Sequence, residues 1–307
     1  MRNKRRWALV PTLILVLMAS LPLRQAGTAE IRFQQGLGGT VENHTIAADD
    51  SLVELALRYD VGYNEITDAN PGVDPFIPEA GTRVTIPAQW LLPDVPAQEG
   101  IVINLAEMRL YHFPHQPGEP VTTYPVGIGA EGTDTPTGTY RVVEKIASPV
   151  WHVPASIRKQ RAGMPTTVPP GPDNPLGSHA LRLSNWSVLI HGTNRPFGVG
   201  RRVSHGCIRL YPGDIVPLFG KVEVGTRVTI VRQPVKAADV DGRVLVEIHG
   251  EGDEDLEMAA IDLLIDKGLN VWVDRKKLRR AVKERTGIPV DVTAKSKFKR
   301  KTPPSPS

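Results

Sequence analysis

The spacing of apolar residues changes character several times along the chain, and each change marks an element boundary. From Glu42 to Pro87 an extended start, His44-Thr-Ile46, gives way to Asp50-Ser-Leu-Val-Glu54, where Asp50 or Ser51 is placed to cap a helix running through Tyr59. A second helix is expected over Asn64 to Asn70. Pro71-Gly72 stops it, and Gly81 to Pro87 alternates as a closing strand. The resulting order over residues 42–88 is strand, helix, helix, strand. Residues 89–100, rich in proline and polar side chains, read as a linker.

From Ile101 the period shortens to two. Ile101 to Asn104, Arg109 to His112, Thr122 to Val126, Gly138 to Val143, Ser187 to His191 and Thr226 to Val231 alternate as short strands separated by turns. That spacing predicts a mainly β unit of sandwich or barrel type over residues 101–233. Between Arg158 and Gly177 the strand pattern lapses into Pro165, Pro169, Pro170, Gly171, Pro172 and Pro175. A long irregular excursion inside a compact unit suits a lid over a functional site. Beyond Pro234, Arg243 to His249 reads as a strand, Asp255 to Lys267 as an amphipathic helix ended by Gly268, and Asp274 to Arg285 as a basic helix ended by Gly287. These form a small α/β appendage over residues 234–292. Residues 293–307 hold charge, serine and proline with almost nothing apolar, and are expected to be disordered.

Charge changes the picture at the two ends. The formal net charge is +4, yet residues 1–29 hold five basic side chains and no acidic one, so without them the balance is −1. Lys295, Lys297, Lys299, Arg300 and Lys301 carry five more positive charges, which leaves Glu30 to Ala294 at −6. A body of that sign is not a nucleic-acid binder of the uniformly basic kind. At the start, Arg2, Lys4, Arg5 and Arg6 precede an apolar run from Trp7 to Leu23, which is the order of an export signal. Gly27-Thr28-Ala29 offers small residues for cleavage after position 29, while Pro11 and the length of the run keep an uncleaved membrane anchor open.

Exported proteins meet an oxidising compartment in which cysteines usually pair, yet Cys207 is the single cysteine of the chain and has no internal partner. It is either a small core residue or a working thiol. Its surroundings favour the thiol: Val188-Leu-Ile-His191-Gly-Thr and Val203-Ser-His-Gly-Cys207-Ile-Arg-Leu-Tyr211 are both strand-like, and His191 lies sixteen positions before Cys207. Two adjacent strands joined by the connection Thr193 to Arg202 bring imidazole and thiol together, and a thiolate–imidazolium pair is expected. The thiolate is the species that attacks a carbonyl, and a neighbouring histidine depresses the thiol pKa and returns a proton to the leaving amine. Gly206 permits close backbone approach, with the N–H groups of His205, Gly206 and Cys207 as candidate oxyanion donors. Ser204 and Arg209 are the remaining polar candidates. Zinc held by His191, His205 and Cys207 is the competing reading, since three such ligands leave an open position; the chain carries no His-x-x-x-His to support it.

The segment with Ser51-Leu-Val-Glu-Leu-Ala, Ile66-Thr-Asp-Ala-Asn-Pro and Val84-Thr-Ile-Pro resembles the LysM module. That resemblance implies a shallow groove for glycan containing N-acetylglucosamine. His191-Gly and Ser204-His-Gly-Cys207 with Arg209 two residues on resemble the YkuD pattern of the L,D-transpeptidase family, helped by Tyr124-Pro-Val-Gly-Ile-Gly, Thr135-Pro-Thr-Gly138 and Trp151-His-Val-Pro. The layout is similar to the periplasmic ErfK/YbiS/YcfS/YnhG group. The resemblance implies a β-sandwich-like catalytic domain, Cys207 as nucleophile, His191 as acid and base, and a backbone carbonyl near Gly192 orienting its ring. It further implies that His205 and Gly206 shape the oxyanion site and that Arg209 holds either the Cys207 loop or a substrate carboxylate. The family positions the donor stem near aromatic residues such as Trp151, Tyr124 and Trp186, but no motif fixes which ones, and core packing is the plainer reading of all three. The implied reaction is attack of Cys207 on the L-centre carbonyl of the diamino acid in a tetrapeptide stem, loss of D-alanine, and transfer to an amine in the periplasm. Another stem, an outer-membrane lipoprotein lysine, a free D-amino acid and water all remain as acceptors, the last making a carboxypeptidase or amidase. No cofactor or metal is implied. A non-catalytic wall-binding protein is the alternative of another class, and it gives no reason to keep both His191 and Cys207.

Overall fold

The computed structural model describes residues 30–115, 119–160, 163–250, 255–295 and 297. The expected export signal and most of the basic tail lie outside them. None of the described helices is long and apolar enough to cross a membrane.

The N-terminal unit has the strand, helix, helix, strand order read from its periodicity: Glu42–Thr45, Leu52–Arg58, Tyr63–Asp68 and Arg83–Ile86. Ser51 is the cap of the first helix. Its Oγ accepts the Glu54 N–H at 3.2 Å and donates to the Glu54 carboxylate at 3.0 Å. Asp50, the other candidate, instead accepts from His44 Nε2 at 2.7 Å and from the Ala47 N–H at 2.9 Å, tying the first strand to the helix start. Leu52, Leu55, Ala56, Val61, Ile66, Val84 and Ile86 form the core of this unit.

The central unit is mainly β, as the alternation predicts. One mixed sheet runs in the order Glu30–Ile31, Val121–Pro125, Arg109–Phe113, Gly100–Asn104, Arg227–Val231, Gly138–Ala147, His179–Leu183, Leu189–His191, Ile208–Arg209. The sheet curls until its ends meet, because the chain leaving Val121–Pro125 bridges back at Gly127 to Arg209. Ile103, Leu110, Leu181, Ile190, Ile208 and Ile230 fill its interior, with the helix Pro212–Lys221 packing Ile215 and Leu218 against them.

Residues 89–100 are no free linker. Gln89–Leu91 pairs with Leu37–Gly39, and Trp90 is buried with its indole N–H donated to Glu65 at 2.8 Å. Nor does the N-terminal unit hang loosely. Arg109 of the central sheet reaches Glu65 through two hydrogen bonds, Nε to Oε1 and Nη2 to Oε2, both 2.8 Å, with Arg109 fully buried and Glu65 nearly so. Tyr63 and Asn64 donate their N–H groups to the carbonyls of Val199 and Gly200, and Tyr211 Oη donates to the Val61 carbonyl at 3.1 Å. A side chain at Gly200 would lie 2.2 Å from the Tyr63 nitrogen, so the close approach requires glycine there.

The appendage folds as Val235–Val240, Arg243–Ile248 and Val290–Asp291 in one sheet under the helices Leu256–Asp266 and Arg275–Glu284. It is joined to the central unit by buried charge. Lys236 Nζ lies 2.5 Å from Glu107 Oε2 and 2.7 Å from Glu247 Oε1, and His249 Nε2 lies 2.7 Å from the same Glu247 oxygen. The ordered chain also runs past the expected start of the tail: Thr293 bridges Val273, and Lys297 pairs with Asp239 at 2.6 Å over the Trp272 ring. An aliphatic stem lying on an aromatic face with its charge paired explains why this lysine docks.

Candidate active site

Two short strands carry the candidate chemistry. Leu189–His191 and Ile208–Arg209 pair in parallel, with Ile190 opposite Ile208 and His191 opposite Arg209. Strand alternation sends Ile190, Ile208 and Leu210 into the core, where all three are fully buried. The opposite face therefore presents Leu189 and His191 on one strand and Cys207 and Arg209 on the other. Cys207 and His191 are diagonal neighbours on that face, as the sixteen-residue spacing predicts.

Local hydrogen bonds hold both ends of this pair. His191 Nδ1 lies 2.5 Å from the Gly192 carbonyl, and its ring is nearly buried. The orienting acceptor is thus a backbone carbonyl at Gly192, and the Leu176 backbone is a second hydrogen-bonding partner of the ring. On the other strand Ser204 Oγ donates to the Cys207 carbonyl at 2.6 Å, while the Ser204 carbonyl accepts from the Ala130 N–H and from Thr133 Oγ1. Gly206 sits at φ +97°, a conformation that favours glycine, and its carbonyl accepts from Thr135 Oγ1 at 3.1 Å. Thr135 in turn accepts the Gly129 N–H at 3.0 Å. Drawing the Gly206 carbonyl aside leaves the N–H groups of His205, Gly206 and Cys207 with no acceptor among the described residues.

Electrostatics correct one expectation. Burial pushes the Cys207 thiol up, with the Leu189 N–H and the charges of Arg209 and Arg182 pulling only partly back. Burial also pushes His191 down to about 4, against the Gly192 carbonyl that favours its charged form and with Arg209 disfavouring it. Burial thus favours thiol and neutral imidazole at rest over thiolate and imidazolium. The thiol donates a long hydrogen bond, 3.8 Å, to the Ser187 carbonyl.

The other predicted residues divide by position. Arg209 is partly buried, its Nε has no hydrogen-bond partner among the described residues, and burial lowers its pKa, so a cation stands beside the thiol. His205 is exposed. Trp151 lies half-buried just before the segment expected to be a lid and pairs with Val168 inside it. That segment is pinned by buried Asn174, whose amide donates to the Pro149 carbonyl at 2.8 Å and accepts the Leu176 N–H at 2.9 Å, so that Gly177 packs on Gly192. Tyr124 is core, as expected of an aromatic residue, whereas Trp186 is 70% exposed beside Arg182. Thr135 and Asn174 carry no chemical signal in the sequence and are recognised only through their partners.

Residues 98–230 match the YkuD family, described as the L,D-transpeptidase catalytic domain, and residues 44–87 match the LysM domain. The chain is 43% identical over 274 residues to the probable L,D-transpeptidase YcfS of Escherichia coli K12, covering 83% of this chain and 85% of that protein. It is also 43% identical over 254 residues to the probable L,D-transpeptidase YbiS of the same strain, covering 78% and 82%. Among solved structures, the NMR structure of the catalytic domain of the E. faecium L,D-transpeptidase is 24% identical over 43% of this chain and 96% of that one, with a TM-score of 0.34. On the extent of the curated matches, the chain belongs to the L,D-transpeptidase family, an acyltransferase class of enzyme acting on peptidoglycan.

Proposed function

We propose that Cys207 is the nucleophile and His191 the acid and base of an L,D-transpeptidase that works in the periplasm of a Gram-negative-type envelope. The observation that carries this reading is the common face shared by Cys207, His191 and Arg209, with unengaged backbone N–H groups at the Cys207 turn. A tetrapeptide stem enters with the L-centre carbonyl of its diamino acid over Sγ. Because thiol and imidazole rest neutral, the proton moves from Sγ to His191 Nε2 as the C–S bond forms. The oxyanion is received by the N–H groups of Gly206 and Cys207, with His205 at the rim of that site. Collapse breaks the C–N bond, His191 protonates the departing D-alanine amine, and a thioester remains on Cys207. Arg209 pairs with a stem carboxylate, Ser204 holds the Cys207 turn in place, and Trp151 on the lid hairpin covers the donor.

An acceptor amine then resolves the thioester, giving a 3–3 cross-link or attachment to a lipoprotein lysine. Water resolving the same intermediate gives a carboxypeptidase, and the partly buried thiol favours an amine that binds over bulk solvent. The LysM unit binds the glycan that carries the stems. Incubation of the enzyme with tetrapeptide muropeptides, with and without a peptide ending in the lipoprotein-type lysine, tests the assignment by mass spectrometry of the products. Dimers lacking one D-alanine, or a peptide–muropeptide conjugate, are expected; tripeptides alone would make water the acceptor.

A further inference from the structure

A cleft of about 540 Å³ opens at the seam between the LysM unit and the connection that joins the His191 strand to Cys207. Asp49, Glu54, Phe76 and Ile77 line it from the LysM side, and Phe197 and Arg201 from the catalytic side. Its apolar residues face water: Phe76 is 61% exposed, Ile77 83% and Phe197 52%. They are nevertheless held in place. The Asp74 carboxylate accepts the N–H groups of Phe76 and Ile77 at 2.8 and 2.9 Å, and Phe197 sits in a 3-10 turn closed by the Val199 N–H on the Pro196 carbonyl at 3.0 Å. Arg201 lies with its guanidinium 3.5 Å from the Tyr63 ring centroid and 5.9 Å from that of Phe76, and its buried Nε has no partner among the described residues. Water-exposed aromatic faces fixed by their own backbone make a concave binding surface with few polar anchors.

We propose that this cleft is a single glycan site built jointly by the two units, in which Phe197 and Arg201 contact the same N-acetylated sugar chain that the LysM residues bind. This rests on the reading of the LysM unit as a glycan binder and extends it to the catalytic unit. The occupant follows from the lining. Carboxylates of Asp49 and Glu54 at the rim disfavour an anionic stem or phospholipid, and accept from sugar hydroxyls and acetamido N–H groups. Phe76, Ile77 and Phe197 offer apolar faces to the C–H faces of the rings, and Arg201, stacked on Tyr63, closes the catalytic side of the cleft. The position of Phe197 gives the site its consequence. It lies in the chain between His191 and Cys207, whose Val199 and Gly200 carbonyls are bonded to LysM backbone, so a seated glycan is held at one fixed spacing from the thiol. The enzyme therefore acts on stems carried by the glycan in its own cleft.

The test is calorimetric titration with soluble N-acetylglucosamine oligomers, using the full chain and the variants Phe197→Ala, Phe197→Trp and Ile77→Asp. Phe197→Ala is expected to weaken binding about fivefold, the value of one aromatic contact. Phe197→Trp is expected to keep parental affinity, and its added emission should shift on titration. If Ile77→Asp loses affinity while Phe197→Ala binds like the parent and Phe197→Trp emission stays unchanged, the LysM glycan reading stands and the joint site is overturned. If the parent binds no oligomer, both fall together.

Discussion

Replacing Arg109 by Met tests the seam on which the fixed spacing depends. Arg109 is fully buried and makes two 2.8 Å hydrogen bonds to Glu65, one of 3.2 Å to Thr123 Oγ1 and one of 3.2 Å to the Asp60 carbonyl, with its guanidinium 3.9 Å from the Trp90 ring centroid. Methionine keeps much of the volume but leaves Glu65 as a buried carboxylate held only by the Gly62 N–H and the Trp90 indole. Asp60 and Asp214 suffer too. Burial raises both carboxyls and Arg109 is the cation that opposes it. Breaking a buried pair in this way costs about 3 to 5 kcal/mol. Against a typical total of about 5 to 15 kcal/mol this is a large share, and at a urea dependence of about 2 to 3 kcal/mol per molar it moves the unfolding midpoint down by about 1 to 2.5 M. Urea titration followed by tryptophan emission measures it, since Trp90 reports the seam directly. The double variant Arg109→Met, Glu65→Gln should recover part of the loss, because the stranded charge is then gone. A loss below about 1 kcal/mol, the value of an exposed pair, would mean that the LysM unit is undocked in solution and would refute the rigid seam.

Four further outcomes follow from the site and the appendage. Ser204→Ala removes the 2.6 Å bond to the Cys207 carbonyl; stopped-flow acylation should slow about tenfold with about 1 kcal/mol of stability lost, and an unchanged rate would exclude Ser204 from positioning the thiol. His191→Ala should cut D-alanine release by at least about a hundredfold, while iodoacetamide labelling of Cys207 against pH keeps its alkaline midpoint, because the imidazole carries no charge above about pH 4. The acid limb of parental activity should likewise fall near pH 4, and a limb near 6.5 would show that burial does not control His191. For His249, burial works against the charged form, but the Glu247 hydrogen bond and charge prevail and raise its pKa. A raised folded-state value stabilises below the ordinary histidine range and is lost as pH rises through that value, so the stability difference between parent and His249→Gln should be largest at acid pH and shrink with alkalinity; a pH-independent difference would place His249 outside the charged network.

Much of the fold is legible in the sequence because local signals and tertiary needs agree there. Ser51 before an apolar helix face is a local statement that packing then satisfies; Ile101 to Asn104 and Arg109 to His112 are strands as read, but both are buried on both faces rather than alternating. The strand Val235–Val240 was hidden because Lys236 breaks its apolar run, and only the distant carboxylates of Glu107 and Glu247 make that lysine a core residue. The same blindness applies to the seam. Glu65 and Arg109 are 44 positions apart, and nothing local says that two charged residues will share a buried contact and turn residues 89–100 from a linker into packed chain. At the candidate site, the cysteine, the histidine and the glycine stand out as candidates because their chemistry is particular, whereas their protonation does not. Charge state depends on burial, which no spacing encodes.

The most direct test of the central claim is intact-protein mass spectrometry after rapid mixing with a tetrapeptide muropeptide, with free D-alanine measured in the same quench. The parent is expected to gain one muropeptide acyl group less its D-alanine, mapped to Cys207 as a hydroxylamine-labile thioester, with D-alanine released in equal amount. Release of D-alanine at the parental rate by Cys207→Ala, or an adduct mapping to any other residue, would contradict the assignment.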